Sequence, residues 1–235
     1  MFNLKKGNVH ALKEYSITGN LLGTTEYVII EGDTVMQGKF LRFNEKGIKI
    51  SEGQFVDNEP HGICKYYYHN GKLEAVQYRQ NSKITLESTY YSRNGFIEKY
   101  VVYDDLGIPS FIITYDEIGG VVKYDGYVQF RNDLSPKEQF KIKKSQDLKV
   151  GNTLKYSYTL ANIPNASRNY KIENISVDNS KVKRTLKHIP PAKIDVEEVL
   201  TKKGKNTIRS IVRYEFKDKI TPVYVDTLTF DVNVN

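Results

Sequence analysis

The sequence predicts an all-β protein, an antiparallel meander of twelve-residue strand-turn units followed by a β-sandwich. Three observations predict it: a glycine and an aromatic recurring on a twelve-residue frame in the first half, alternating β-branched segments in the second, and a change of charge between them. The chain has 235 residues, 39% apolar and 12% aromatic, which suffices for a core and argues against a wholly disordered polypeptide. At ~100–200 residues per domain, one or two domains are expected.

The charge distribution favours two. Residues 1–135 hold 15 Lys and Arg against 17 Asp and Glu, whereas residues 136–235 hold 20 against 11, so the net charge changes from −2 to +9 across Ser135-Pro136. A basic half can steer an acidic partner, a phosphate-rich surface or nucleic acid. Its lysines are scattered singly, with short clusters only at Lys141–Lys144, Lys181–Lys187 and Lys202–Lys205, and the solvated face of a sheet accounts for them better.

In the first half, Gly47, Gly71, Gly95, Gly107 and Gly119 are separated by 24, 24, 12 and 12 residues, which makes the unit twelve. Four residues before each glycine stands an aromatic: Phe43, Tyr67, Tyr91, Tyr103 and Tyr115. Phe55 and Tyr127 extend the frame, and Arg79 is its exception. Asp57-Asn58 and Gln80-Asn81-Ser82 supply turn formers at the intermediate positions. Upstream, Tyr15, Gly19 and Tyr27 keep the same offsets before a four-residue slip across Gly32–Val35, expected to be one longer loop.

Twelve residues accommodate a strand of about seven or eight and a turn of about four. Asn70-Gly71 and Asn94-Gly95 are signals for two-residue primed turns, because both positions of such a turn need positive φ. In the strands the apolar residues often alternate, as in Phe111-Ile113-Tyr115 and Tyr66-Tyr68, which suits a sheet with two different faces. One aromatic per strand is expected to stack as a cross-strand ladder, each contact contributing roughly 0.2–1 kcal/mol. The ladder is first a packing device, and second a tyrosine-rich surface for a partner. An eleven-strand meander leaves two edges, one of which the C-terminal domain or a second copy is expected to cover.

The segment from His61-Gly62 through Tyr66-Tyr67-Tyr68 to Asn70-Gly71-Lys72-Leu73 resembles the MORN-variant repeat, with its glycine, Tyr-Tyr pair and Asn-Gly-Lys-Leu. Gly38-Lys39-Phe40 through Phe43, Gly47, Gly53-Gln54-Phe55 and His61-Gly62 is similar with phenylalanine in place of tyrosine. Tyr103-Asp104-Asp105-Leu106-Gly107 and Tyr115-Asp116-Glu117-Ile118-Gly119 look like the tyrosine-aspartate repeats of secreted bacterial Rhs-type proteins. The resemblance covers residues 8–127 and implies an antiparallel meander without a catalytic centre. Bacterial proteins of this variant are often labelled antitoxins or immunity proteins of the YwqK type, and other MORN proteins act as scaffolds or at membranes. The matching positions are turn and packing positions, so no functional residue is carried over.

The second half loses the twelve-residue frame. Phe140–Lys143, Leu154–Leu160, Ile194–Leu200, Thr207–Phe216 and Val223–Val234 are alternating or β-branched runs, punctuated by Asn152, Asn162–Asn169, Asp178-Asn179-Ser180, Pro190-Pro191 and Lys203-Gly204-Lys205. Some seven short strands within about 100 residues predict a sandwich of the immunoglobulin or fibronectin type. The antibody cysteine pair and tryptophan are missing, since the chain has one Cys and no Trp.

Signals for chemistry are weak. Cys64 follows His61 by three residues, but it sits in an apolar strand, where a lone thiol packs as a small hydrophobe. Asp104-Asp105, Asp116-Glu117 and Glu197-Glu198 fit solvated turns better than acid/base or calcium sites. No nucleophile elbow, phosphate loop or dinucleotide fingerprint is present. Neither an enzyme nor a cofactor nor a bound metal is expected. Lys155-Tyr156-Ser157-Tyr158 and Arg213-Tyr214-Glu215-Phe216-Lys217 interleave aromatics with cations as single-strand binders do, yet alternation on strands explains them equally, and nucleic acid is disfavoured.

The expected function is recognition of another protein, by neutralising a toxin or holding an envelope assembly, with Tyr66, Tyr67, Tyr68, Tyr90 and Tyr91 as the contact residues. The alternative is an exported surface or periplasmic module binding glycan or membrane through the basic half. No apolar run of ~18 residues is found, so no transmembrane segment is expected. The start lacks a signal-peptide pattern, which places the chain in the cytoplasm if complete, and in the periplasm or at the cell surface if a signal precedes it.

Overall fold

A computed structural model describes residues 8–131, 148–218 and 220–235. The fold is all-β, and the chain divides into two compact units at Tyr124/Asp125. The expected boundary at Ser135-Pro136 lies outside the described residues, as do Phe140–Lys143 and the Lys141–Lys144 cluster. The division comes earlier than expected because Gln129–Arg131 already pairs with a strand of the second unit.

The first unit is one antiparallel sheet of ten strands in sequence order: β1 (His10–Tyr15), β2 (Leu21–Ile30), β3 (Asp33–Phe43), β4 (Lys49–Val56), β5 (Glu59–Tyr67), β6 (Leu73–Arg79), β7 (Thr85–Tyr91), β8 (Ile97–Tyr103), β9 (Pro109–Tyr115) and β10 (Val121–Gly126). Among the described residues the meander has ten strands where eleven are expected. Every substantial strand contact within this unit joins sequence neighbours, so the unit is a single layer.

Six of its turns share one geometry. The N–H of Gly19, Gly47, Gly71, Gly95, Gly107 and Gly119 donates to the carbonyl three residues earlier at 2.8–3.1 Å, and the N–H of that earlier residue donates to the carbonyl just after the glycine at 2.8–2.9 Å. The glycines have φ between 74° and 92°, which a side chain rarely tolerates, whereas Asn70 and Asn94 do not have positive φ. These are three-residue loops closed by a glycine bulge, not the two-residue primed turns expected at Asn70-Gly71 and Asn94-Gly95. In five of the six the first residue also caps the loop: the Ile48 N–H donates to Asn44 Oδ1, Ile108 to Asp104 Oδ1, Gly120 to Asp116 Oδ1, Asn20 to Ser16 Oγ and Phe96 to Ser92 Oγ. Tyr68 stands at the sixth and cannot cap.

Primed turns occur elsewhere. Asp57 and Asn58 have φ of 49° and 68°, and Glu31 and Gly32 have 53° and 92°. The slip across Gly32–Val35 is therefore no longer loop. Its four extra residues lengthen the hairpin, in which Ile30 pairs with Asp33 and Val28 with Val35.

The recurrent aromatic marks a register shift. Tyr15, Phe43, Tyr67, Tyr91 and Tyr103 each stand where the pairing slips, one residue opposing two on the partner strand. Arg79 occupies the same place, and its guanidinium donates to the Asn81 and Ser82 carbonyls of the following loop, which a phenol cannot do. The expected ladder on neighbouring strands is not formed. Antiparallel connection puts the ends of consecutive strands at opposite ends of the sheet, so Tyr91 and Tyr103 are far apart, and positions 24 residues apart are equivalent.

Among the described residues the second unit has seven strands in two sheets. β11 (Gln129–Arg131), β12 (Thr153–Leu160), β15 (Lys193–Val199) and β14 (Arg184–Ile189) form one, and β13 (Ala166–Asn174), β16 (Gly204–Phe216) and β17 (Tyr224–Val234) the other. That order, first-second-fifth-fourth facing third-sixth-seventh, is the strand order of the constant-type immunoglobulin sandwich. Leu154, Tyr156, Ile194 and Val196 of the first sheet and Ile172, Ile208 and Val234 of the second share one core, and Tyr156 meets Phe230 edge-on at 5.3 Å. Asn162–Asn169 is only partly the loop expected, since β13 begins at Ala166. β13 and β14 are edge strands with mostly exposed or alternating side chains, which leaves little apolar signal in their sequence.

Candidate functional site

The five candidate tyrosines lie on β5, β7 and the turn after β5, and all five are half-buried. Alternation along the strands divides them. Tyr66 pairs with Ala75, and Ala75 with Tyr90, so these two phenols flank one small, buried residue on one face of the sheet. On the same face the rows Cys64-Gln77-Ser88-Val101 and Tyr66-Ala75-Tyr90-Lys99 run side by side. Tyr67 and Tyr91 belong to the opposite face, with Lys65 and Thr89. Tyr68 stands at the turn.

The hydroxyls separate the residues further. Tyr67 donates a short hydrogen bond to Glu52, whose other oxygen lies 2.8 Å from Lys49 Nζ, and the same ammonium sits 4.6 Å over the Tyr67 ring. Lys49, then Tyr67, holds the Glu52 carboxyl below its ordinary range, and Glu52 in turn raises Lys49. Tyr68 donates to the Tyr91 carbonyl at 2.6 Å, with Arg93 5.9 Å from its ring. These phenols hold the sheet's own turns together.

Tyr66 has no hydrogen-bond partner among the described residues, and burial raises its pKa. Tyr90 lies 3.4 Å from the Tyr103 hydroxyl, with Lys99 Nζ 4.7 Å over its ring. Burial opposes ionisation of Tyr90, but the hydrogen bond with Tyr103 and the charge of Lys99 hold it below the usual phenol range. Tyr103 is pushed up to about 12, by burial first and by the Tyr90 hydroxyl second. The surface that can be offered to a partner is thus Tyr66, Tyr90, Tyr103 and Lys99. Sequence reasoning missed Tyr103 and Lys99: the register through the Gly95 turn sets Lys99 opposite Tyr90, whereas Tyr103 stands four residues further along β8 and reaches Tyr90 only through its hydroxyl.

The residues with potential for chemistry are engaged structurally. Cys64 is fully buried, and burial pushes its thiol up, away from a reactive thiolate. His61 Nδ1 lies 3.2 Å from the Gln80 carbonyl. In the second unit the outer faces alternate cations with acids, as Lys155 with Glu197 at 2.7 Å, Lys193 with Asp195 at 3.4 Å and Lys205 with Asp231 at 2.9 Å, which breaks the basic surface into pairs.

Fold and surface together define a two-unit all-β protein, a single-layer repeat sheet with a seven-strand sandwich. No family model and no curated protein matches the chain. One solved structure aligned with it is "Crystal structure of the S-layer protein SbsC domains 4 and 5", at 10% identity over 97% of each chain with a TM-score of 0.24, a likeness too slight to carry an argument. Among the described residues no helix is long and apolar enough to cross a membrane.

Proposed function

We propose that this protein is a non-catalytic recognition module that binds another protein through the Tyr66, Tyr90, Tyr103 and Lys99 face of its repeat sheet. The observation that carries the reading is the placement of Tyr66 and Tyr90 on either side of Ala75, which sets two half-buried tyrosines on one face of the sheet. Tyrosine in such a setting offers contact area at little entropic cost, and it is enriched at protein interfaces. Cys64 and His61, the residues best suited to chemistry in this unit, are committed to packing and turn contacts. The MORN-variant resemblance of residues 8–127 favours, within this class, a bacterial antitoxin or immunity protein, or an envelope scaffold.

A second reading, an exported module that holds glycan or membrane through the basic half, draws on the +9 charge of residues 136–235. The ion pairs on the outer faces of the sandwich weigh against it. Affinity capture from the native organism with the full chain and a Tyr66→Ser/Tyr90→Ser variant separates the two. One protein retained at high salt by the wild type and lost by the variant supports recognition by the sheet. Material retained equally by both and released by salt overturns it in favour of electrostatic binding.

A further inference from the structure

Strand β1 is the outermost strand of the repeat sheet, and all six of its residues are exposed. Among the described residues no strand pairs with its outer side. Long open edges with apolar side chains are templates for pairing with another chain. This edge carries Leu12 at 42% exposure and Tyr15 at 57%, with Val9 just before it at 63%.

Symmetry limits how two copies can meet along β1. Two identical antiparallel strands side by side are related by a twofold axis perpendicular to the sheet, so directly opposed residues face the same side and the axis passes midway between the two copies of one residue, which oppose each other. An axis at Lys13 opposes Lys13 to itself, a like-charge contact that destabilises the pair. An axis at Ala11 leaves Glu14 opposite Asn8, at the extreme end of the strand. An axis at Leu12 opposes Leu12 to Leu12, His10 to Glu14 on both sides of it, and Val9 to Tyr15 on the other face. In that register alone the apolar residues meet one another and Glu14 meets a donor. His10 stacks on Tyr27 at 5.3 Å and Glu14 is held by Arg42 at 2.7 Å, so both are already oriented on the sheet.

We infer that β1 is a self-recognition edge, at which two copies of this chain join their ten-stranded sheets into one continuous antiparallel sheet with the two Leu12 residues opposed across the twofold axis. The inference is independent of the tyrosine face and stands whether or not that face binds a partner. A single short strand makes a concentration-dependent dimer, not an obligate one.

The test uses the full chain. Sedimentation equilibrium over a concentration series is expected to show a monomer–dimer equilibrium that Leu12→Lys abolishes while the circular dichroism and melting temperature are retained, since Leu12 contributes little to the fold. Leu12→Cys is expected to form an intermolecular disulfide under mild oxidation, because the two new thiols face each other at the axis. Lys13→Cys, offset from the axis, is expected to remain uncrosslinked. Cys64 is fully buried and does not interfere. A wild-type protein that stays monomeric throughout the series, or crosslinking as efficient through Lys13→Cys as through Leu12→Cys, overturns the inference. A dimer that Leu12→Lys leaves intact also overturns it, by assigning association to another surface.

Discussion

Arg184 on β14 grips the carboxylate of Glu198 on the neighbouring strand β15, with Nε at 2.8 Å and Nη2 at 2.6 Å from one oxygen, and Glu198 is completely buried. The second carboxylate oxygen accepts from Asn174 Nδ2 at 3.1 Å, and Asn174 also donates to Asn206 Oδ1 at 3.1 Å. Asn174 and Asn206 belong to the facing sheet, so this polar chain ties edge strand β14 to the core and one sheet to the other. A buried carboxylate is tolerable here because its charge and both oxygens are satisfied.

Removing one partner exposes the cost. Arg184→Met leaves Glu198 as an unpaired buried charge and is expected to destabilise the protein by about 3–5 kcal/mol. The double variant Arg184→Met/Glu198→Leu is expected to recover much of that loss, retaining the cost of the acceptor taken from Asn174. Urea unfolding of the single and double variants checks this, and a double variant less stable than Arg184→Met contradicts it.

Gly53 is required by its neighbours and not by its backbone angle. A Cβ there would lie 2.8 Å from Cys64 Sγ and 2.8 Å from Phe40 Cε1. Gly53→Ala is expected to cost about 1–3 kcal/mol through overpacking. Phe40→Leu added to it should relieve part of the cost, and thermal melts of the single and double variants give the comparison.

The capping acids of the turns carry a graded prediction. Asp104 Oδ1 accepts from the Leu106 and Ile108 N–H groups, both at 2.9 Å. Asp104→Ala is expected to lose about 1 kcal/mol, whereas Asp104→Asn keeps the acceptor and should stay near the wild type. Equal losses in the two variants would show that charge, not the hydrogen bonds, matters at this turn.

Two tyrosine hydroxyls should respond in opposite directions to removal. The Tyr115 hydroxyl is buried without a partner among the described residues, and Tyr214 donates to the Ala161 carbonyl at 2.7 Å. Tyr115→Phe is expected to leave stability unchanged or raise it by about 1 kcal/mol, and Tyr214→Phe to lower it by about the same amount. Denaturant midpoints at constant m-value provide the measurement.

The same buried phenols set the alkaline limit. Burial pushes Tyr103 up to about 12, and burial pushes Tyr115, Tyr156 and Tyr214 up further, against about 10 in an unfolded chain. The native state therefore holds protons that the unfolded state releases. Their contribution to stability is complete below about pH 10 and is lost as pH rises through 10 towards 12. Tyrosinate absorbance should show an exposed class titrating first and a late class coincident with unfolding. A single titration near pH 10 with the fold intact would contradict the burial described here.

The twelve-residue period was legible because the recurring loop glycine must adopt positive φ, an aromatic stands four residues before it, and turn formers fill the units that lack the glycine, all of which are local requirements. Turn type was less legible: Asn70-Gly71 reads as a primed turn until the third loop residue and its hydrogen bonds are seen. Arg79, an exception in the sequence, is explained by loop carbonyls that only the folded turn presents. β13 and β14 carried weak signals because edge strands keep few buried side chains. Of the candidate tyrosines, the strand alternation that separates Tyr66 from Tyr67 was available in the sequence, but the association of Tyr66 with Tyr90 required the register.

The sequence by itself determined the strand class, the repeat length and the presence of two electrostatically distinct regions, since periodicity and turn chemistry act over a few residues. Only the tertiary structure decided where the units divide, that Tyr90 meets Tyr103, and that Glu198 is buried against Arg184. Those relationships depend on which strands become neighbours and in what register, and pairing across 13 or 14 residues of chain is set by the summed fit of whole faces. No local pattern of residues records that sum.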